Sequence, residues 1–252
     1  MSQPTSGRRR IAFFGGSFDP PHLGHLAVAR AARDALGLET VLFAPVGSQP
    51  LKPAGSTASF EDRVAMTELA IAGESGFAIS LADAPKVTGE PNYTLETLEE
   101  VRDGMPAECE LYCLMGADSF VGLRFWHRAA EIPFVAPLIV ASRPGQSLGD
   151  LKALLPAGLT MEASADSVCA KSTVERSDIE VRCYCLLGRT GTVAGKRIPF
   201  YLLPGLNVEI SASRIREMAR ARSGTSEGSA TPGHELLPEA VFEYMRSRGL
   251  YR

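Results

Sequence analysis

Short apolar runs alternate along the chain with longer stretches of helical periodicity. Runs of adjacent apolar residues predict buried strands, whereas apolar residues that recur every three or four positions predict helices. The predicted strands cover residues 11–14, 40–46, 77–82, 110–116, 137–142 and 199–203. The predicted helices cover about 23–36, 60–73, 95–103, 119–124, 213–222 and 239–248. This alternation predicts an α/β protein with a Rossmann-like, doubly wound parallel sheet and helices on both of its faces.

Residues with capping chemistry stand near the predicted helix ends. Ser59 and Thr94 are expected N-caps, because a hydroxyl oxygen accepts hydrogen bonds from the free amides of a first turn. Glycines are favoured where a helix stops, since they tolerate a left-handed backbone. The expected stops are Gly37, Gly73, Gly104 and Gly249.

Two stretches interrupt the alternation and shape the expected domain organisation. Residues 145–197 combine weak helical periodicity with a hairpin pattern, and we interpret them as an insertion at the domain edge. Residues 223–235 are small and polar and predict a mobile loop. We therefore expect a flexible leader at 1–10 and one domain at 11–252, with an insertion at about 145–197.

Composition and charge narrow the class of protein. The 252 residues are 45% hydrophobic and 22% charged, which is typical of one globular core. A net charge of -3 argues against a nucleic-acid partner, and no run of 18 apolar residues predicts a membrane span. The five cysteines lack a CxxC pair, so we expect reduced thiols in a cytoplasmic protein, with a disulfide as the less favoured alternative.

A glycine- and proline-rich turn, GGSFDPPHLGH, follows the first predicted strand at residues 15–25. Gly15 and Gly16 allow the backbone to turn and approach a ligand, and the amides that follow suit phosphate oxygens. His22 and His25 lie three apart and face the same side of a helical first turn. Imidazoles beside a helix N-terminus can donate to phosphate oxygens that gain charge during group transfer.

Three other interpretations of this turn stay open at this point. The histidines resemble half of a zinc site, although only His127 and His234 remain to supply further imidazoles. They also fit satisfied core histidines, and the glycines fit an ordinary strand-to-helix turn. A second motif elsewhere in the chain is needed to favour the phosphate site.

That second motif is VEISASRIRE at residues 208–217, after the last predicted strand. Ser211 and Ser213 can cap the following helix and donate to phosphate, and Arg216 can act as a charge clamp one turn inside. An ordinary helix start with a surface arginine is the alternative. Both strand-to-helix junctions lie at the same edge of a parallel sheet, which favours a shared phosphate site.

These two motifs together resemble the nucleotidyltransferase superfamily of adenylyl- and cytidylyltransferases. The segments PNYTLETL at 91–98, LMGADSFVGLRFWH at 114–127, ASRPG at 141–145 and the C-terminal LPEAVFEYMRSRGLY are similar to the bacterial nicotinate-nucleotide adenylyltransferase family. The resemblance covers about 11–145 and 199–251 and omits the leader and the insertion. It implies adenylyl transfer from ATP to nicotinate mononucleotide, giving deamido-NAD and pyrophosphate in NAD biosynthesis. It also implies in-line attack without a covalent intermediate, and Mg2+ carried by the ATP phosphates.

The resemblance assigns roles around the phosphates. His22, His25, Lys52 and Arg216 would be catalytic, with His25 the stronger candidate for stabilising the transition state. Leu51 stands beside Lys52 where the family usually has a histidine. Arg63 matches a family arginine, although an ordinary solvated arginine on a helix is the alternative interpretation. The residues that would bind ATP are Gly15, Gly16, Ser17, Phe18, His22, His25, Gly116, Asp118, Ile210, Ser211, Ser213 and Arg216.

Recognition of the mononucleotide would use a second group of residues. Trp126 would stack on the pyridine ring, while Thr94 and a backbone amide near His127 would hold the ring carboxylate. Ser17, Phe18 and Lys52 would contact the mononucleotide phosphate. Asp118 would accept a hydrogen bond from a ribose hydroxyl of ATP. Ala212 replaces a serine that is frequent in the family. We expect little loss of function from this replacement, because Ser213 remains as the helix cap. The resemblance implies no metal held by protein ligands.

Two alternatives to this function remain, and they belong to different classes. The first is a sister adenylyltransferase acting on nicotinamide mononucleotide or another acceptor. The second is a sensor module that binds ATP without turnover, which the full set of charged residues disfavours. The expected partners are the two nucleotides, with no nucleic acid and no membrane; self-association into a homo-oligomer is left open.

Overall fold

The computed structural model describes residues 8–51, 55–142, 148–163, 180–206, 210–221 and 233–252. Lys52, Cys169, most of the predicted leader and most of the predicted loop at 223–235 lie outside these ranges. The predicted division into leader, domain and insertion therefore stays a prediction. Within the described ranges, no helix combines the length and the apolar character needed to cross a membrane.

Within the described residues, one sheet of eight strands has the order β3-β2-β1-β4-β5-β8-β7-β6. The strands are β1 Arg9–Gly16, β2 Thr40–Pro45, β3 Phe77–Ile79, β4 Cys109–Gly116, β5 Leu138–Ala141, β6 Leu159–Ala163, β7 Arg182–Gly188 and β8 Arg197–Leu203. From β3 to β8, each neighbouring pair is parallel. The chain moves outward from β1 through β2 to β3 and then returns to place β4 on the other side of β1. This switch confirms the doubly wound sheet.

The last two strands depart from the expectation of an entirely parallel sheet. β7 pairs antiparallel with both β8 and β6. The hairpin predicted near the end of the 145–197 region is confirmed as β7 and β8, and β6 extends the sheet at its edge. Residues 189–196 connect β7 to β8, and so short a connection favours antiparallel pairing, because parallel strands need a crossover of a dozen or more residues.

Helices connect the strands and cover the sheet. They are α1 Leu23–Leu36, α2 Phe60–Ile71, α3 Thr94–Asp103, α4 Ala117–Gly122, α5 Ile132–Val135, α6 Leu148–Ala153, α7 Ala212–Ala221 and α8 Glu239–Arg248. A 3-10 turn at Leu123–Phe125 continues α4. The bounds of α1 and α8 agree with the prediction to the residue. The sequence did not predict α5 and assigned only weak helical character near α6, because such short helices carry little periodicity.

Most of the predicted helix ends are confirmed. The Ser59 hydroxyl oxygen accepts from the backbone amide of Asp62 at 3.0 Å, so it caps α2. Gly37 and Gly249 end α1 and α8 in the left-handed region, with φ of 60° and 64°. Gly104 follows α3 as expected, although its backbone is right-handed.

Two predicted helix ends are wrong by one residue. Thr94 is the first residue of α3, and the N-cap position belongs to Tyr93, which makes no side-chain cap hydrogen bond. Gly73 follows the C-cap residue Ala72 rather than occupying that position. A helix start set by packing needs no side-chain cap, and sequence patterns locate helix ends only to within a residue or two.

Alternation along β1 separates two hydrophobic cores, one on each face of the sheet. Ala12 and Phe14 pack into the first core, which includes residues of α1, α2, α7 and α8. Phe13, between them, packs into the second core with residues of α3, α4 and α5. Residues of α6, β6 and β7 also enter the second core, so the described part of the 145–197 region continues the same core. Helices therefore cover both faces, as predicted.

The cysteines only partly follow the expectation of reduced thiols. Cys109, Cys113 and Cys185 are free, and burial raises the pKa of the Cys113 thiol to about 12. Cys183 is disulfide-bonded, so the expectation is wrong for this residue. A disulfide depends on two cysteines approaching in space, which spacing along the chain does not show.

Candidate active site

A cavity of about 440 Å3 opens where the carboxyl ends of β1 and β4 separate. The paired register of these strands ends at Phe13 and Cys113, although the strands continue to Gly16 and Gly116. The two strands flank the point where the winding of the sheet reverses. Crevices at such a switch point are the usual ligand sites of doubly wound sheets.

The structure brings every residue predicted to bind ATP to this one cavity. The GGSFDPPHLGH turn forms one wall, the start of α4 forms a second, and residues 210–216 form a third. Several polar lining residues were not predicted from the sequence, among them Asp19, Thr57 and Ser142. Asp19 lies inside the GGSFDPPHLGH motif but is not among the residues predicted to bind a substrate.

Two glycines and one phenylalanine shape the backbone of the first wall. A Cβ at Gly15 would lie 3.0 Å from the Phe13 ring, and one at Gly16 would lie 3.1 Å from the Phe18 ring. The left-handed residue is Phe18, with φ of 45°, rather than either glycine. Such a backbone costs on the order of 1–3 kcal/mol in a non-glycine residue. The ring of Phe18 is buried against Phe14 and His25, which offsets that cost.

His22 and His25 form a stacked imidazole pair at the start of α1. Their ring centroids lie 3.7 Å apart, with 22° between the planes. The backbone amide of His22 donates to Nδ1 of His25 at 3.1 Å. Since Nδ1 accepts, the proton of a neutral His25 resides on Nε2. His25 therefore presents an N–H donor at Nε2, as the phosphate interpretation requires.

Burial keeps both imidazoles uncharged in the free protein. Desolvation lowers the pKa of His22 to about 4. Desolvation and the neighbouring His22 lower the pKa of His25 well below its ordinary value. The Nδ1 atom of His22 is buried without a hydrogen-bond partner, which a satisfied core histidine would not show. Among the described residues, no three His, Cys, Asp or Glu side chains form a metal-binding cluster.

Asp19 links the first wall to two other segments. Its buried carboxylate accepts from the amides of Thr57 at 2.6 Å and Ala58 at 3.1 Å. Its backbone carbonyl accepts from Nη1 of Arg216 at 2.6 Å. The aspartate therefore holds the 57–58 segment and Arg216 at the rim of one cavity, although these residues lie far apart in sequence.

Arg216 and Ser213 lie on α7, as the second motif predicted. Nη2 of Arg216 donates to the Ser213 hydroxyl at 3.1 Å, and the arginine side chain is 21% exposed. The expectation that Ser213 caps the helix is wrong, because α7 begins at Ala212 and the carbonyl of Ser211 accepts from the amide of Ile215. The Ser213 hydroxyl therefore orients Arg216 instead of capping the helix.

Arg63 is a buried arginine, and its alternative as a solvated helix residue is wrong. Only 2% of its surface is exposed. It donates to the carbonyls of Ser17 at 2.7 Å and Val46 at 2.8 Å. These contacts join the segments that follow β1 and β2. Arg63 thereby supports the first wall of the cavity without lining the cavity itself.

The residues predicted to recognise the nicotinate group lie apart from this cavity. Trp126 is half-buried and packs against the second core. His127 is exposed, with its ring 4.6 Å from that of Tyr93, next to Thr94 at the start of α3. Thr94, Trp126 and His127 do not line the cavity, and Lys52 lies outside the described residues. Their predicted contacts with substrate stay predictions.

A hydrogen-bond network that the sequence did not predict connects the α3 region to the first wall. The amide of Ser48 donates to the Asn92 side chain at 3.0 Å, and the Asn92 amide donates back to the Ser48 carbonyl. Nε2 of Gln49 donates to the Ser17 hydroxyl at 3.1 Å. The loop after β2 therefore joins the PNYT segment to a residue predicted to contact both substrates. No local pattern in the sequence marks these pairings.

Amide, hydroxyl, imidazole and guanidinium donors at the switch point of a doubly wound sheet fit a nucleotidyltransferase. The family model described as Cytidylyltransferase-like matches residues 13–218. A probable nicotinate-nucleotide adenylyltransferase of Gloeobacter violaceus is 37% identical over 96% of this chain and 96% of its own. One of Aeromonas hydrophila is 35% identical over 96% of this chain and 97% of its own. The chain belongs to the nicotinate-nucleotide adenylyltransferase family.

Solved structures support the fold at lower identity. Plasmodium falciparum nicotinic acid mononucleotide adenylyltransferase complexed with NaAD superposes with a TM-score of 0.64 and 16% identity, over 96% of this chain and 97% of that chain. A putative nicotinate-nucleotide adenylyltransferase from Vibrio parahaemolyticus gives 0.53 and 17% identity, over 97% and 96%. These likenesses show a shared fold and confirm the architecture expected from the sequence.

Proposed function

We propose that the protein transfers the adenylyl group of ATP to nicotinate mononucleotide, forming deamido-NAD and pyrophosphate in NAD biosynthesis. The observation that carries the proposal is the convergence of all residues predicted to bind ATP on one cavity at the sheet switch point. The family to which the chain belongs supports this choice of substrates. The paired donors in the cavity suit an oligophosphate better than a neutral ligand.

In the proposed reaction, a 5'-phosphate oxygen of the mononucleotide attacks the α-phosphorus of ATP in line. One P–O bond forms, and the bond to the β-phosphate bridging oxygen breaks, so pyrophosphate leaves with the electron pair. No covalent enzyme intermediate is needed. The protein acts by holding the reacting groups together and by stabilising the charge that develops on the phosphate oxygens.

The neutral imidazole pair gives His25 a defined part in that step. Its Nε2–H donates to a phosphate oxygen, and this hydrogen bond strengthens as the oxygen gains charge. His22 and Arg216 contact other phosphate oxygens, and Lys52 adds a further positive charge from the β2–α2 loop. Removing one such donor lowers turnover by roughly 100- to 1000-fold in other enzymes.

The second group of predicted residues would receive the pyridine end of the mononucleotide. Trp126 stacks on the ring, and Thr94 with a backbone amide near His127 holds the carboxylate. The hydrogen bonds of Ser48 with Asn92 and of Gln49 with Ser17 support this proposal, since together they join the segment before α3 to the first wall of the cavity.

Mg2+ enters as part of the substrate MgATP. The cavity fits this arrangement, because its hydroxyl, imidazole and guanidinium groups can donate hydrogen bonds to the phosphates that carry the metal. The buried Asp19 carboxylate already accepts from protein donors. We place the enzyme in the cytoplasm, where its nucleotide substrates are available.

The test is to incubate the protein with MgATP and either nicotinate or nicotinamide mononucleotide, and to separate the products. We expect deamido-NAD and pyrophosphate from the acid. Preferential use of the amide would identify a sister enzyme, and MgATP binding without a dinucleotide product would identify a sensor. Either result would contradict the proposed reaction.

Variants then test the site itself. His25→Ala should lower kcat by roughly 100-fold or more while changing MgATP binding less. His234→Ala is the matched control, because this histidine lies on a turn outside the cavity and is 45% exposed. Near-normal kcat in His25→Ala would remove His25 from the mechanism.

A further inference from the structure

The chain ends in a segment that folds back toward the cavity. Gly249 ends α8 with a left-handed backbone, and Tyr251 is left-handed as well, with φ of 61°. The amide of Leu250 donates to the carbonyl of Met245, which holds the reversal in place. As a result, the aromatic ring of the penultimate residue points inward and is only 5% exposed.

The Tyr251 hydroxyl donates to Oδ1 of Asp19 at 2.7 Å, across 232 positions of the sequence. Asp19 is itself 4% exposed and belongs to the cavity wall. Burial raises the pKa of the Tyr251 hydroxyl, and the hydrogen bond to Asp19 raises it further, so the group stays a donor near neutral pH. This contact joins the C-terminus directly to the phosphate-binding turn.

This hydrogen bond matters because several donors share the two carboxylate oxygens of Asp19. Oδ1 takes Tyr251 and the amide of Ala58, whereas Oδ2 takes the amide of Thr57 and lies 3.9 Å from Nη1 of Arg216. The same Nη1 binds the Asp19 carbonyl. A buried carboxylate that lost one donor would attract the nearby guanidinium more strongly. That attraction would compete with a nucleotide phosphate for the arginine.

We propose that Tyr251 is a positioning residue for the MgATP site: by satisfying Asp19, it keeps Arg216 available to the phosphates. The hydroxyl acts through Asp19 and Arg216 and touches neither substrate. This inference rests on the proposed function for its kinetic test, but its geometric basis is independent of which mononucleotide is the acceptor.

The chain contains a close control for the experiment. Tyr244, on α8, donates its hydroxyl to Oδ1 of Asp62 at 2.9 Å. Neither residue lines the cavity. Tyr251→Phe and Tyr244→Phe therefore each remove one phenol-to-carboxylate hydrogen bond near the C-terminus while leaving the ring, and only the first should affect Arg216.

The two variants are compared in steady-state turnover with each substrate varied in turn. For Tyr251→Phe, we expect kcat/KM for MgATP to fall about tenfold, in line with the loss of a hydrogen bond to a charged group, and KM for the mononucleotide to stay near that of the unmodified protein. Tyr244→Phe should leave both values unchanged. The inference would be overturned if Tyr251→Phe changed the kinetic constants for both substrates equally, or if it left kcat/KM for MgATP unchanged.

A binding measurement keeps the test valid if Tyr251→Phe is less stable. The rise in Tm on adding MgATP should be smaller in this variant than in Tyr244→Phe, whereas the rise on adding nicotinate mononucleotide should match. Equal MgATP shifts in the two variants would refute the role of Tyr251. Absence of turnover in the unmodified protein would instead refute the proposed function, and the MgATP shift would still decide the inference.

Discussion

Acidification is expected to destabilise the protein through the buried His22. Its imidazole has a pKa lowered to about 4 in the folded protein, against 6.5 for the free group, because burial disfavours the charged form. The unfolded chain therefore binds a proton between these values that the folded protein does not. By linkage, stability is complete above pH 6.5 and falls as the pH decreases toward 4.

The size of this effect follows from the two pKa values. At pH 5, the contribution of His22 to the free energy of unfolding is about 2 kcal/mol smaller than at pH 7.5. Below pH 4 the loss levels off at about 3 kcal/mol, since both states are then protonated. Such a change is a large fraction of the stability of an ordinary domain, typically about 5–15 kcal/mol.

The assay is urea unfolding at pH 7.5 and pH 5, followed by circular dichroism. Other groups also titrate in this range. We therefore compare how much the free energy of unfolding changes between pH 7.5 and pH 5 in the unmodified protein and in His22→Gln. This difference should shrink by about 2 kcal/mol in the variant. His127→Gln, which removes an exposed imidazole, should retain the full difference. An unchanged difference in His22→Gln would refute the assignment of this acid sensitivity to His22.

Three further substitutions test the support of the site. Arg63→Met should lower the free energy of unfolding by about 2 kcal/mol in urea titrations, because the half-buried Ser17 carbonyl and the buried Val46 carbonyl lose their donor. The control Arg102→Met, at an exposed position, should have little effect. Gly47→Ala should destabilise the protein by several kcal/mol, because the new Cβ would lie 2.3 Å from the backbone nitrogen of Pro85. The control Gly73→Ala should be tolerated, since its Cβ would meet no atom within 4 Å. Equal Tm values for the two variants would contradict this packing. Trp126→Ala should raise KM for the mononucleotide severalfold and leave that for MgATP unchanged; the opposite pattern would contradict its role.

Much of the fold was predictable because its signals are local. The 3.6-residue periodicity of α1 and α8 located both helices to the residue. The strands of the parallel part were recognised as apolar runs, since both of their faces are buried. The hairpin of β7 and β8 was predicted, but the edge strand β6 and the short helix α5 were not, because strand pairing and the placement of a single turn depend on distant neighbours.

The candidate site shows the same division. The glycine-rich turn and the Ser-Arg motif were recognisable from residue types and spacing, and both line one cavity. Residue types and spacing did not show the burial of Arg63 or the disulfide of Cys183. A helix arginine has the same local pattern whether it faces water or two carbonyls of other loops.

The sequence by itself determined the alternation of strands and helices, the two phosphate-binding motifs and the family they resemble. Only the tertiary structure decided how these motifs meet and what each side chain contacts. It stacked His22 on His25 with the proton of a neutral His25 on Nε2, and it placed Tyr251 against Asp19, 232 positions away. Periodicity and capping arise between residues a few positions apart and are therefore visible in the chain. Protonation and long-range hydrogen bonds depend on burial and on partners that only the folded protein supplies.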